Sequence, residues 1–159
     1  MKTLDDAFTH TLKDIYYAEN ALTKSLPKVA KAVSNKALRA ALEEHLEETK
    51  GQIKILDKVF KSIGEKPSGE KCDAIEGLIK ETDGIIDVAG GAVALNAAVI
   101  AAAQAVEHYE ISRYGSLREW AKVLGHDEAH DLLTAILDQE KAANNILTNL
   151  AVTTINRPN

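Results

Sequence analysis

Residues 92–111 read AVALNAAVIAAAQAVEHYEI, an alanine-rich run that leads directly into a Glu-His-Tyr-Glu segment. The apolar positions of this run recur at steps of three and four residues, which is the spacing of one face of an α-helix. Glu107 lies within that apolar face. An isolated ionised carboxylate in a protein interior costs several kcal/mol. The sequence therefore predicts that another group neutralises Glu107.

The composition of the chain is typical of an all-α protein. Of its 159 residues, 45% are hydrophobic but only 4% aromatic, and there are three prolines and nine glycines. This length suits one domain with a sizeable core, and the abundance of Ala, Leu, Glu and Lys favours long helices. We predict a single helical domain over residues 1–159.

The net charge and the cysteine content limit which cellular compartment and which binding partners the sequence predicts. The formal net charge of -5, without a basic block, argues against nucleic-acid binding. Cys72 is the sole cysteine, which excludes an internal disulfide and fits a reducing cytoplasm. We expect no signal peptide, because the first residues already belong to an amphipathic pattern. Asn96 and Gln104 interrupt the apolar run of residues 89–106, which favours a bundle core over a membrane span.

Periodicity and stop signals predict two helical hairpins separated by a crossover. The first hairpin comprises helices over about residues 3–33 and 36–63, with a capping box at Thr3 and Asp6 and a kink at Pro27. A long connection with a short helix over residues 73–79 follows. The second hairpin comprises helices from about residues 89–91 to 124, with room for a bend at Gly115, and over 128–152, before a frayed tail at 156–159. This order predicts a ferritin-like four-helix up-down bundle with one long crossover.

Each long helix carries a glutamate within its apolar stripe, namely Glu19, Glu48, Glu107 and Glu140. Glu19 and Glu110 each precede a turn by 15 residues, and Glu48 and Glu140 each follow one by 13. Glu107 is one helical turn from Glu110 on nearly the same face. We therefore expect these carboxylates to meet at one height in the core.

Converging carboxylates repel one another, and no Lys or Arg occupies the central turns of the stripes; Arg113 and Arg118 lie on the flank of the third long helix. Two divalent cations would balance four glutamates, and carboxylates joined by imidazole are ligands that iron and manganese accept in helical bundles. His45 is either a ligand or a core histidine, and Glu110 is either a ligand or a support for one. The predicted metal site comprises Glu19, His45, Glu48, Glu107, Glu110 and Glu140.

Other polar side chains near the stripes have supporting roles in this interpretation. Gln52 and Asn144 follow Glu48 and Glu140 by four residues, and we expect these amides to orient carboxylates. Tyr16 and Tyr109 either bond to groups near the site or cap the core. His108 points about 100° away from the stripe, which places it behind the ligands or at the surface. No catalytic residue is assigned.

The segments DIYYAE (residues 14–19), HLEETKGQ (45–52), VEHYEI (106–111) and EKAA (140–143) resemble the YciE/YciF-like family of bacterial stress-associated proteins. The similarity covers nearly the whole chain. The family belongs to the ferritin-like superfamily, so the resemblance implies a four-helix bundle, a homodimer and a rubrerythrin-like di-metal centre. The superfamily pattern Glu-x-x-His is absent, because Gly51 and Ala143 stand three residues after Glu48 and Glu140. His45 and Glu110 are the residues that could complete the coordination.

Together with the resemblance, the sequence predicts a cytoplasmic stress-associated protein that binds two metal ions. Iron is the favoured metal, and manganese is the alternative. The expected chemistry is oxidation of Fe(II) by peroxide or dioxygen. Two alternatives remain open at this point. The first is a non-enzymatic structural or stress protein whose metal only stabilises the bundle, and the second is a metal-free interaction module with protonated glutamates.

Overall fold

The computed structural model describes residues 1–156, and the elements in this range are helical. The predicted long helices are confirmed, with ends within a few residues of the expected positions. The helices are α1 (Leu4–Ala32), α2 (Lys36–Ser62), α3 (Asp73–Val88), α4 (Ala92–Val123) and α5 (Asp127–Leu150), and α5 continues into a π-helical turn, Ala151–Ile155.

The two hairpins pack side by side and form the predicted bundle. Helix α1 packs against α2, α4 packs against α5, and the hairpins meet through the α2–α5 and α1–α4 contacts. The crossover helix α3 lies over α1 and α4. The predicted fold class, a ferritin-like four-helix up-down bundle with one long crossover, is confirmed. Within residues 1–156, no helix is both long and apolar enough to cross a membrane.

The crossover helix is longer than the sequence predicted. It was expected over residues 73–79 but extends to Val88. Its inner face carries the buried side chains of Ile75 and Thr82, which hold both halves of the helix against its neighbours. Gly77 and Gly84 do not end it, because packing of an apolar face outweighs the loss of about 1 kcal/mol that a helical glycine causes.

Local signals explain most of the helix ends. Thr3 and Asp6 form the predicted capping box at the start of α1. Gly64 and Gly125 have φ angles of 76° and 74°, a left-handed conformation that glycine adopts without steric cost after a helix. Pro27 lies inside α1 without ending it. The predicted frayed tail cannot be followed, since residues 157–159 lie outside the described range.

A buried asparagine sets the position of α4 against the first hairpin. The side-chain oxygen of Asn96 accepts hydrogen bonds from the backbone N–H groups of Ser34 (3.1 Å) and Asn35 (3.5 Å). Its amide nitrogen donates to the Ser34 hydroxyl at 3.1 Å. These bonds tie the alanine-rich half of α4 to the α1–α2 turn, and Glu107 follows three helical turns later.

Candidate metal centre

The bundle buries four carboxylates and one imidazole at the middle of its core. The exposed fraction is 0% for Glu19, Glu110 and Glu140, 2% for Glu107 and 7% for His45. These residues come from α1, α2, α4 and α5, so each long helix contributes at least one. The sequence-predicted residues Glu19, His45, Glu107, Glu110 and Glu140 therefore share one buried layer.

Four of these residues present donor atoms within metal-binding distance of one another. One ligand atom each of His45, Glu107, Glu110 and Glu140 lies within 4.8 Å of all the others. His45 Nε2 lies 3.3 Å from Glu107 Oε1. Donors bound about 2 Å from a common ion lie at most roughly 4 Å apart. Only small side-chain adjustments separate this arrangement from a coordination shell.

Glu19 lies beside this group and is held by a tyrosine. The hydroxyl of Tyr114, on α4, donates to Glu19 Oε1. The charge of Glu140 also acts on Glu19, which places Glu19 next to the four-residue group. Tyr114 was not recognised from the sequence as a supporting residue. Its place in the α4 stripe was visible, but a bond to another helix leaves no periodic signal.

Glu48 does not occupy the buried position that the sequence predicted. Its side chain is 37% exposed, and its Oε2 lies 3.7 Å from His45 Nδ1. The buried stripe of α2 instead passes through His45, Thr49 and Gln52. Consecutive residues of a helix point about 100° apart, so a stripe centred on Thr49 leaves Glu48 at its margin. Glu48 thus lies on the outer side of His45.

The predicted amides differ from each other in what they contact. Gln52 Nε2 donates to Glu140 Oε1 at 2.5 Å, which is the orienting role expected of it. Asn144 does not have that role, because its side-chain oxygen accepts from Gln104 Nε2 at 3.1 Å. Helix α5 turns Asn144 towards α4 and away from the carboxylates.

The two tyrosines singled out from the sequence bond elsewhere. Tyr16 donates to Asp57 at 3.0 Å, and Tyr109 donates to Asp14 at 2.7 Å. Arg113 stacks over the Tyr109 ring at 5.2 Å and approaches Asp14 at 3.8 Å. This cluster keeps the arginine away from the buried layer. Among residues 1–156, the ion pairs of the buried glutamates involve His45 alone.

Several donor atoms in the buried layer have no hydrogen-bond partner within the described part of the chain. A buried polar atom without a partner costs about 1–3 kcal/mol and is uncommon in folded proteins. A cation bound between these atoms would remove that cost, so the residues fit a metal centre. The atoms are Glu19 Oε2, His45 Nδ1, Glu107 Oε2, both carboxylate oxygens of Glu110, and Glu140 Oε2.

Burial and mutual repulsion shift the titration of these carboxyl groups. Burial, together with the charge of Glu140, raises the pKa of Glu107 to about 10. Burial also raises the pKa of Glu19 and of Glu110, and the neighbouring carboxylates add to the shift. The pKa of Glu140 is raised by burial but held back by His45 and Gln52. Without cations, the layer retains protons at neutral pH.

Known proteins are similar to this chain in sequence and in architecture. The model of the family described as "Domain of unknown function (DUF892)" matches residues 3–158. Protein YciF of Escherichia coli (strain K12) is 46% identical over 158 residues, which is 99% of this chain and 95% of that protein.

Solved structures agree with this relationship. The crystal structure of the E. coli stress protein YciF superposes with a TM-score of 0.95 at 46% identity, covering 99% of this chain and 100% of that one. YcfI of Rhodopseudomonas palustris, described as a candidate structural protein, gives a TM-score of 0.91 at 52% identity, covering 92% and 94% of the two chains. The chain therefore belongs to the DUF892 family and is YciF-like over nearly its whole length.

Proposed function

We propose that this chain is a stress-associated protein that holds two metal ions in its bundle core, with iron favoured over manganese. In this proposal the chain oxidises Fe(II) with dioxygen or peroxide. The observation that carries the proposal is the buried layer of donor atoms without hydrogen-bond partners. The relative YciF is described as a stress protein, which supports the cellular setting. A metal-free core would have to keep these carboxylates protonated or repelling each other.

The donor geometry suggests how the residues would share two ions. His45, Glu107, Glu110 and Glu140 would hold one ion, because their ligand atoms lie within 4.8 Å of one another. Glu19 would hold the other together with carboxylates of the same group, and Glu48 would serve as the outer ligand beside His45. When ionised, the four buried glutamates carry a formal charge equal in magnitude and opposite in sign to that of two divalent cations. Carboxylate and imidazole donors suit both iron and manganese.

The bound metals would supply one-electron redox chemistry, and the chain's own residues would position and shield them. Gln52 fixes Glu140 through Oε1, and Tyr114 fixes Glu19 through Oε1, so that the Oε2 atoms remain free for cations. Outer hydrogen bonds of this kind orient ligands and raise metal affinity. The apolar residues above and below the layer exclude bulk water, which strengthens electrostatic interactions inside it.

Metal analysis tests the binding part of the proposal. Protein produced with iron in the medium should retain about two ions per chain, as expected for a di-metal carboxylate bundle. Glu107→Gln keeps the side-chain volume but removes the charge, and should lose most of the metal. Less than about half an ion per chain would reject both the redox and the stabilising role of the metal.

Kinetics separate the redox role from a structural one. Anaerobic protein loaded with Fe(II) is mixed with dioxygen or with hydrogen peroxide, and ferric absorbance and oxidant consumption are followed. Oxidation faster than that of free Fe(II) at equal concentration supports the proposed activity. If the protein oxidised Fe(II) no faster than free Fe(II) is oxidised, the metal would only stabilise the bundle. That role agrees with the description of YcfI as a candidate structural protein.

We also propose that the chain acts as a homodimer in the cytoplasm, where its buried free thiol, Cys72, stays reduced. Helix α4 exposes Ala94, Ala101 and Ala105 on its outer side although its inner side is apolar as well. A helix that is apolar all round is normally covered. Sedimentation velocity should give the mass of a dimer, and Ala101→Glu should shift it towards the monomer. A wild-type monomer at micromolar concentration would contradict the proposal.

A further inference from the structure

A cavity of about 50 Å³ lies inside the bundle, between the carboxylate layer and the α1–α2 turn. All five helices line it, and its walls are largely aliphatic: Leu22, Leu26, Val29, Leu42, Val106 and Leu147. His45 and Glu107 form its inner end. Each of these two residues has a buried polar atom without a hydrogen-bond partner, His45 Nδ1 and Glu107 Oε2. The cavity therefore joins an apolar space to reactive donor atoms.

The cavity approaches solvent between α2 and α5. Among its lining residues, Glu44 on α2 and Ile146 on α5 are exposed, and Glu48 is partly exposed. On the opposite side the crossover helix α3 closes the cavity, and its lining residue Thr82 is buried. A molecule entering between α2 and α5 would pass the aliphatic walls and reach His45 and Glu107.

We propose that this cavity is the passage through which dioxygen reaches the carboxylate layer. This inference rests on the proposed function and selects dioxygen over peroxide as the oxidant. The size of the cavity suits a diatomic molecule, since pockets for drug-sized ligands begin at roughly 300 Å³. An organic substrate would not fit without rearrangement of the core.

The polarity of the walls favours dioxygen over hydrogen peroxide. Peroxide donates two hydrogen bonds in water and would lose them in an aliphatic passage, whereas dioxygen is apolar and loses none. The lining hydroxyls are those of Ser25 and Thr82. The Thr82 hydroxyl already donates to the backbone carbonyl of Leu78 at 2.8 Å. Between the entrance at Glu44 and Glu48 and the inner end at His45 and Glu107, the walls therefore offer a polar oxidant only the Ser25 hydroxyl.

Paramagnetic relaxation by dioxygen tests the passage without any bound metal. The full-length chain, stripped of metal by chelation, is placed under oxygen pressure and its methyl resonances are followed by NMR. Methyl groups of Leu22, Val106 and Leu147, which line the cavity, should relax several-fold faster than those of Leu12 and Leu133, which are buried in the other half of the bundle. Equal enhancement in both sets would overturn the proposal.

A matched pair of alanine substitutions localises the effect. Ala143 lines the cavity and Ala102 does not, and both are 8% exposed. Ala143→Leu should abolish the enhanced relaxation, while Ala102→Leu should leave it intact. Circular dichroism checks that both variants fold. If Ala143→Leu does not fold, the wild-type contrast between the two methyl sets decides the question by itself.

The iron-loaded protein supplies a kinetic check on the choice of oxidant. Where access limits the rate, Ala143→Leu should slow oxidation by dioxygen about tenfold relative to Ala102→Leu. Oxidation by peroxide should slow much less, and equal slowing with both oxidants would overturn the selection of dioxygen. If the wild-type chain binds no metal, the proposed function fails, whereas the methyl relaxation still accepts or rejects the passage.

Discussion

The two helical hairpins carry acidic residues at matching heights but bury them differently. Glu19 of the first hairpin and Glu110 of the second are both fully buried. Glu140 is also fully buried, whereas the side chain of Glu48, its counterpart on α2, is 37% exposed. With Glu107 added, the second hairpin contributes three buried carboxylates and the first contributes one. The internal similarity of the sequence therefore does not extend to the environment of each acid.

This asymmetry is compensated by hydrogen-bond donors that cross from one hairpin to the other. His45 and Gln52 of the first hairpin contact Glu107 and Glu140 of the second. In return, Tyr114 of the second hairpin donates to Glu19 of the first. Neither hairpin alone could orient its own carboxylates. The buried layer thus exists only when the two hairpins are packed together.

The largest effect expected from this asymmetry is on metal content. Glu140→Gln removes a buried charge from the centre of the donor group and should abolish most metal binding. Glu48→Gln changes a partly exposed residue at the margin and should leave more than half of the bound metal. Elemental analysis of both folded variants measures the difference. Equal losses would show that Glu48 and Glu140 are equivalent ligands despite their different exposure.

A strong pH dependence is expected for the metal-free protein. The pKa of Glu107 is raised to about 10 in the folded chain, mainly by burial, whereas an unfolded glutamate titrates near about 4.3. Between these values the folded state binds a proton that the unfolded state has released, so the free energy of unfolding falls as the pH rises.

Denaturant unfolding from pH 5 to pH 8 measures this dependence. Glu107 alone should contribute a loss of up to about 1.4 kcal/mol per pH unit. Glu107→Gln cannot titrate and should reduce the slope by that amount, whereas iron loading, which displaces protons from the whole layer, should flatten the profile. A flat profile for the metal-free wild type would contradict the burial of ionisable carboxylates.

The donors that cross between the hairpins should have intermediate effects. Tyr114→Phe and Gln52→Met each remove one hydrogen bond to a buried carboxylate, and should weaken metal affinity about 10- to 100-fold. Tyr16→Phe is the control, because its hydroxyl bonds to Asp57 at 3.0 Å, away from the layer. Competition with a chromogenic chelator measures the affinities. A loss in Tyr16→Phe as large as in Tyr114→Phe would point to a general change in packing.

The smallest effect concerns Gly51, which is the counterpart of Ala143 in the second hairpin. Gly51 lies inside α2 without a positive φ, and a Cβ added to it would meet no atom within 4 Å. Gly51→Ala should therefore raise the free energy of unfolding by about 0.5–1 kcal/mol, since glycine disfavours the helix. Urea denaturation measures the change. If Gly51→Ala lowered the free energy of unfolding, the absence of a side chain at residue 51 would have a structural or functional reason.

Much of the fold could be predicted because its signals are local. Periodic apolar positions identified the long helices, and Thr3, Gly64 and Gly125 marked helix ends through capping and left-handed turns. The crossover helix was predicted over residues 73–79, which is too short. Packing on α1 and α4 sustains that helix to Val88, and this contact is not encoded in local spacing.

The candidate site was predictable only in part. Glu19, Glu107 and Glu140 could be recognised because an acid in an apolar stripe breaks a strong pattern, and the structure buries all three. The position of Glu48 at the margin of the buried face of α2 could not be recognised from the sequence. The periodicity locates a buried face only to within about one residue, and one residue corresponds to about 100° around the helix. The bond from Tyr114 to Glu19 joins different helices and leaves no trace in either pattern.

The amino-acid sequence by itself determined the helices, their order and the presence of an acid within each apolar stripe. These features follow from helix propensity, capping and periodicity, which act over a few residues. The tertiary structure decided which acids are fully buried, which donors hold them and where the apolar cavity meets His45 and Glu107. Those properties depend on the rotation of each helix against its neighbours. That rotation is set by the packing of the whole core.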